Sequence, residues 1–252
     1  MKIEITSRAN SRLKELLAVK EKLFFFEGEK LVCDILTRKL SVSRLLVSAA
    51  GAKILPEEIA ATVKEYWQVS SQVLEKASDL KSSPPLIAVL DVPEKEIDFS
   101  QEKIVLGFVG IQDPGNLGTV FRCASAFGIS ALALAGGCVR ANHPKVIRSA
   151  QTAILDVPFQ VFPIVDELIA KALSQNAHVY VTGSHHGETS LPVARMEFPC
   201  LLLFGNEGRG LEPRLLERFP LIRLEQKERI DSLNVAVSAC ILMHELQRLH
   251  GL

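Results

Sequence analysis

Three stretches of this chain combine glycine, asparagine and charged side chains in the pattern that a backbone-lined ligand site needs. The first is residues 112–122, QDPGNLGTVFR. The turn Asp113-Pro114-Gly115-Asn116 delivers the chain into a helix, with Asn116 placed as its N-cap and the N–H groups of the first turn free to meet an anion. Arg122 follows six positions later, on a face expected to hold Gly118 and Ser125 and to oppose Leu117, Val120, Phe121, Ala124 and Phe127. A guanidinium beside a helix start clamps phosphate or stabilises a developing oxyanion. The same spacing also fits a capped surface helix with a solvated arginine. The second stretch is residues 205–210, GNEGRG, whose three glycines let the backbone approach a ligand and whose acid is Glu207. A plain flexible loop has the same composition. The third is residues 231–234, DSLN, where Ser232 is the expected N-cap of the C-terminal helix. Serine and asparagine at a helix start are more often structural than chemical.

Other chemistries find little support. No GxGxxG follows a strand with an acid about 20 residues on, and no GxxxxGK[ST] occurs, so dinucleotide-fold and P-loop readings fail. His143 and the pair His185-His186 lack organised acidic or cysteine partners and read as loop residues, with no metal expected. The five cysteines form no CxxC pair and read as free thiols in a reducing cytosol. Charges interrupt the opening MKIEITSRANSRLKELL, so no signal peptide is expected. The longest apolar run, residues 129–139, is about half of a membrane span. These features predict a cytoplasmic protein with no membrane partner.

Lys plus Arg and Asp plus Glu are 29 each, which excludes attachment to nucleic acid by bulk charge. The distribution is uneven, however. Residues 113–151 carry Arg122, Arg140, Lys145 and Arg148 against the single acid Asp113, and residues 1–44 carry ten cations against six acids. Two local basic surfaces suit a phosphate-bearing polymer, and ordinary scatter of surface charge fits as well.

The elements that must position the three stretches follow from periodicity. Helices are predicted over 11–20, 27–40 and 57–64, and short strands over 44–48 and 86–90. This first part, residues 1–92, reads as α plus β. The charged stretch 91–103 has little periodicity and holds a linker, placed at 93–103. Residues 104–252 then alternate. Strands are predicted at 104–111, 131–135, 178–182, 200–204 and 221–224, and helices at 117–127, 144–150, 165–173, 213–218 and 232–249. Continuous apolar strands between helices mean an α/β parallel sheet covered on both faces, with ligands outside the carboxyl ends of the strands.

Taken in order, DPGNLGTVFRCASAFG (113–128), HPKVIRSAQTA (143–153), LLLFGNEGRGL (201–211) and DSLNVAVSACILMHE (231–245) resemble the SpoU/TrmH class of the SPOUT RNA methyltransferases. The N-terminal part is similar to the ribosomal L30e/L7Ae module that binds substrate in many members. The resemblance implies a parallel-sheet domain with a C-terminal trefoil knot, usually homodimeric, that uses S-adenosylmethionine to methylate ribose 2′-hydroxyls of RNA. By motif position it implies catalytic roles for Asn116, Arg122, Glu207, Ser232 and Asn234. It implies cofactor binding, largely through backbone, at Gly205, Leu224 and Leu233, with Thr182 and Gly183 nearby. Relatives often read Ile-Pro-Met-x-Gly before the Ser-Leu-Asn; residues 224–228 here read LEQKE, without the Pro and Gly.

The transfer needs in-line geometry and no metal. Arg122 stays protonated, so its expected role is to bind the target phosphate and stabilise the oxyanion while the proton leaves to phosphate or water. An L30e/L7Ae-like module favours structured RNA, ribosomal over transfer RNA. Two readings compete: an RNA-binding protein of the same fold without catalysis, supported only by residues 225–228, and a base-directed SPOUT enzyme, disfavoured by NLGTVFR and SLNVAVSA.

Overall fold

A computed structural model of the chain describes residues 2–56, 58–183, 191–224 and 233–251. The first 90 residues contain β1 (Lys2–Ile5), α1 (Ser11–Ala18), β2 (Phe24–Glu27), α2 (Glu29–Thr37), β3 (Arg44–Val47), α3 (Ile59–Thr62), β4 (Glu65–Val69), α4 (Ser71–Ala77) and β5 (Leu86–Leu90). There follow β6 (Ile104–Val109), α5 (Pro114–Ala126), β7 (Ala131–Ala135), α6 (Pro144–Ala150), β8 (Phe159–Phe162) and α7 (Val165–Ser174). The chain ends with β9 (His178–Thr182), β10 (Cys200–Phe204), α8 (Pro213–Arg218), β11 (Leu221–Ile222) and α9 (Val235–His250). Two compact units result, one of Met1–Pro93 with Asn142–Thr152, the other of Glu94–Ala141 with Ala153–Leu252.

The first unit is a five-stranded mixed sheet in the order β1-β4-β3-β5-β2, with β5 antiparallel to both neighbours. Alternation along the strands sends Phe25, Leu46, Trp67, Ile87 and Val89 to one face, where Leu13 and Leu16 of α1 and Val73 and Leu74 of α4 complete a core. Helix α2 packs on β2 and β5, and α6 on β2. The predicted helix over 27–40 starts late. Residues 24–27 form β2, because three consecutive phenylalanines fill both faces of a sheet and cannot share one helical stripe. The strands β1 and β4 and helix α4 have no counterpart in the sequence reading, being four to seven residues long and too short for a clear period. The expected helix over 57–64 is only Ile59–Thr62.

Helix α6 is capped by the His143 ring, whose Nδ1 accepts from the Lys145 N–H, and it ends at Gln151 with φ 55° and ψ −138°. That backbone region disfavours any side chain. It is held because Thr152 Oγ1 donates to Asp34 Oδ2 at 2.7 Å and α6 packs on β2.

The second unit is an all-parallel six-stranded sheet in the order β11-β9-β10-β6-β7-β8, the covered α/β sheet expected from the apolar strand runs. On one face Val105, Ala133, Val181, Leu201 and Leu203 meet Leu168, Ile169 and Ala172 of α7 and Leu215 of α8. On the other, Phe108 stacks on Phe204 with centroids 5.0 Å apart, and Phe121 of α5 meets Phe159 edge-on. Helices α5 and α9 pack together. The edge strand β8, missing from the sequence reading, is covered by the expected linker: Lys95 donates its N–H to Phe159 O, and Glu94 accepts from the Val161 N–H.

Two boundaries beside the site differ from expectation. Helix α5 starts at Pro114, not at 117, with Asp113 as its N-cap. Gly118 is consequently on the buried side of α5, while Thr119 and Arg122 face out. Strand β11 stops at Ile222. The thiol reading is also corrected. Cys123 of α5 and Cys240 of α9 are disulfide-bonded with Cα atoms 5.6 Å apart, which two wide-spaced cysteines cannot announce in sequence. Cys33, Cys138 and Cys200 are free. Burial pushes Cys200 up to about 12 and raises Cys138.

Two outcomes follow. Gln151→Gly relieves the left-handed backbone and is expected to stabilise the protein by about 1 kcal/mol in urea unfolding, after the extra chain entropy of glycine. Alkylation at pH 8 of protein purified without reductant is expected to label Cys33 first. Cys138 should label more slowly, Cys200 only on unfolding, and Cys123 and Cys240 only after reduction, as peptide mass spectrometry would read.

Candidate functional site

Parallel strands end at the same edge, so the loops after β6, β9 and β10 meet. Register makes the meeting close: Phe204, the last residue of β10, pairs with Phe108 of β6. Asn206 then donates from Nδ2 to Gly110 O at 2.7 Å, tying one loop to the other. Its Oδ1 accepts from the Gly208 and Arg209 N–H groups at 2.8 and 3.3 Å. The Asn206 and Gly210 backbones exchange both hydrogen bonds, which closes residues 206–210 into a tight turn. Asn206 was not among the expected site residues; the Asn-x-Gly spacing of an Asx turn is the signal that could have found it. Gln112 Nε2 makes a similar tie to Gly137 O at 2.7 Å, joining the loop after β6 to the loop after β7.

Glycine is required at two places in this turn. Gly210 has φ 67°. A Cβ on Gly205 would lie 2.2 Å from the Gly210 carbonyl carbon and 2.3 Å from the Leu211 nitrogen, both backbone atoms that cannot swing aside.

With Asp113 capping α5 through the Asn116 N–H (2.9 Å), the Asn116 side chain is released from capping. Its Nδ2 donates to Glu207 Oε1 at 2.9 Å, and its Oδ1 accepts from Asn234 Nδ2 at 3.0 Å. Asn234 is itself the N-cap of α9, accepting from the Ala236 and Val237 N–H groups at 2.9 and 3.2 Å. The direction of this series is forced at both ends. A carboxylate only accepts, and the first N–H groups of a helix only donate, so each amide has one usable orientation. Sequence reasoning gave the cap of α5 to Asn116 and that of α9 to Ser232. The structure gives them to Asp113 and Asn234, and this exchange frees Asn116 for the series.

Of the residues expected to be catalytic, Asn116, Glu207 and Asn234 are therefore brought into direct contact. Arg122 lies on the exposed face of α5, and no described residue pairs with its guanidinium. Ser232, the departure at residues 225–228 and the pair His185-His186 lie outside the described residues. Arg122 and Arg140 belong to the second unit, Lys145 and Arg148 to the first, so the expected basic cluster is divided between the units.

Beside the series is a cavity of about 350 Å³, within the range of small-molecule sites. Thr182, Gly183, Gly205, Leu224 and Leu233, the five residues expected to hold a cofactor, all line it. Phe204, Leu211, Leu216, Ile222, Val235 and Leu242 form the apolar part of its walls, and Glu207 reaches its polar part from the series. Thr182 is fixed there by donating Oγ1 to Leu203 O at 3.0 Å. Among the described residues no three His, Cys, Asp or Glu side chains cluster as a metal site. No described helix is long and apolar enough to cross a membrane.

The model of the SpoU rRNA Methylase family matches residues 103–244. The chain is 30% identical to the 23S rRNA (guanosine(2553)-2′-O)-methyltransferase RlmP of Bacillus subtilis, over 97% of this chain and 99% of that protein. It is 27% identical to the 23S rRNA (uridine(2479)-2′-O)-methyltransferase of Streptomyces viridochromogenes, over 77% and 72% of the two chains. A crystal structure of an RNA 2′-O ribose methyltransferase superposes with a TM-score of 0.73 at 30% identity, covering both chains fully. The AdoMet-bound rRNA methyltransferase of Sinorhizobium meliloti shares the fold, with a TM-score of 0.81 at 24% identity over 98% of each chain.

Gly205→Ala is expected to cost about 2 kcal/mol, as overpacking against backbone. It should also open the 206–210 turn, seen as faster amide exchange at Gly208, Arg209 and Gly210.

Proposed function

The chain belongs to the SpoU rRNA methylase family, and on that premise we propose that it transfers a methyl group from S-adenosylmethionine to a ribose 2′-hydroxyl of structured RNA, ribosomal rather than transfer RNA. The observation that carries this reading is the hydrogen-bonded series Asn234–Asn116–Glu207 beside a cavity with both apolar and polar walls. The donor set suits the cofactor. Apolar walls take a flat adenine, and Gly205, Leu224 and Leu233 offer backbone groups, with Thr182 and Gly183 beside them. When bound, S-adenosylmethionine supplies an electrophilic methyl group on a sulfonium.

The protein's own work is positional. Glu207, Asn116 and Asn234 lock three loops together, so that the cavity and the approach to it keep one geometry; Ser232 is assigned to the same polar group. Arg122 lies on the exposed side of α5 with a guanidinium that stays charged. It holds the phosphate next to the target ribose and stabilises the oxygen as its proton leaves to phosphate or water. The planar fork suits both tasks.

The wider assembly belongs to the same proposal. Residues 1–92 act as the L30e/L7Ae-like RNA-binding module, residues 93–103 as linker, and residues 104–252 as the catalytic domain with the family's trefoil knot. The enzyme works as a homodimer in the cytoplasm. Support for the dimer comes from α9, where Val237 (48% exposed) and Ile241 (40%) share one face one turn apart.

The test is transfer of labelled methyl from S-adenosylmethionine to unmodified ribosomal and transfer RNA pools, followed by nucleoside mass spectrometry. A 2′-O-methylated nucleoside from the ribosomal pool is expected. Arg122→Ala should lose about a hundredfold or more in turnover, and Arg122→Lys at least about tenfold because a point charge replaces the fork. Near-full turnover by Arg122→Lys would sink the forked-donor role. Absence of both transfer and cofactor binding would favour an RNA-binding protein without catalysis.

A further inference from the structure

The described lining of the cavity holds only two charged side chains, Glu207 and Arg209. Glu207 is committed to Asn116. Arg209 is different: it is exposed, and no described residue pairs with its guanidinium. Its backbone is nevertheless fixed, because its N–H donates to Asn206 Oδ1 and the 206–210 turn is closed at both ends. The side chain therefore starts from a set point on the cavity wall with five unused donors.

The rest of the lining says what those donors can meet. Twelve of the other lining residues are aliphatic, aromatic or glycine, with Thr182, Asn206 and Ser238 as the uncharged polar members. Asn206 spends its amide on Gly110, Gly208 and Arg209, and Thr182 donates to Leu203. An adenosyl ligand whose base enters the apolar part still carries an amino-acid tail with a carboxylate. A carboxylate moved from water towards apolar walls needs a cation or several donors. Arg209 is the only cation in the described lining. Its fork matches the two carboxylate oxygens in a way that no other lining side chain does.

We propose that Arg209 binds the carboxylate of the cofactor's amino-acid tail, and so selects adenosyl ligands that carry that tail. This rests on the assignment of the cavity to S-adenosylmethionine. Because the residue is exposed and its backbone ties involve only its own N–H, Arg209→Ala leaves the turn and the Asn234–Asn116–Glu207 series in place. The role is one of binding and positioning. Arg209 is not needed to move a proton.

The experiment is calorimetric titration of the full-length protein and of Arg209→Ala with two probes, S-adenosylhomocysteine and its decarboxylated analogue. The analogue keeps the amine and lacks only the carboxylate. The wild type should prefer S-adenosylhomocysteine about tenfold, the size of one charge-assisted pair. Arg209→Ala should lose about tenfold for S-adenosylhomocysteine and less than twofold for the analogue, so the preference disappears. Equal weakening of both probes, or of neither, overturns the proposal. A raised KM for RNA with unchanged binding of both probes also overturns it, and assigns Arg209 to a backbone phosphate. If the wild type binds neither probe, the cofactor assignment itself fails and the inference falls with it. The first two outcomes concern Arg209 alone.

Discussion

Two amides and a carboxylate, hydrogen-bonded in series, hold three separate loops to one another. Glu207 comes from the loop after β10, Asn116 from the first turn of α5, and Asn234 from the cap of α9. Each link is worth about 1 kcal/mol net, somewhat more at the carboxylate. That is small against the packing of the sheet. Its weight lies in direction: an acceptor-only end and a donor-only end leave one arrangement of the amides. A loop displaced by an ångström breaks the series rather than bending it.

Everything around the series makes it affordable. The parallel sheet brings the ends of β6, β9 and β10 side by side, and the stacked Phe108 and Phe204 fix the level at which the two central loops leave it. Asn206 turns the loop after β10 back on itself and pins it to Gly110. Asp113 takes over the cap of α5, which is what leaves Asn116 free. The disulfide between Cys123 and Cys240 joins α5 to α9, the two helices whose starts carry Asn116 and Asn234. In the proposed function, the cavity, the polar series and the exposed Arg122 divide the work of holding a methyl donor, fixing loop geometry and meeting an anionic polymer.

Much of the second unit was legible in the sequence because its strands are buried on both faces. IVLGFV, ALALA and CLLLF are apolar runs that admit no solvated side, and they are found as β6, β7 and β10. The first unit was less legible. Its sheet is mixed and its elements are short, so β1, β2 and β4 gave no period long enough to separate from helix or loop. Residues 24–27 are instructive: the helix expected over 27–40 begins only at Glu29, and FFFE before it is a strand because the sheet gives both of its faces a partner.

The sequence by itself determined, through the order of its motifs rather than the composition of any one, that Asn116, Glu207 and Asn234 belong together. It also determined the parallel sheet, through the hydrophobic period. Which asparagine caps which helix was decided only by the tertiary structure. A cap is chosen by the geometry of one turn, and Asp113 and Asn116 compete for the same N–H groups within four residues. The pairing of Cys123 with Cys240 was decided there too, because the distance between two helices is not written in either of them. So was the lack of a partner for Arg209 among the described residues, since whether a cation finds one depends on the other charges that the fold brings near.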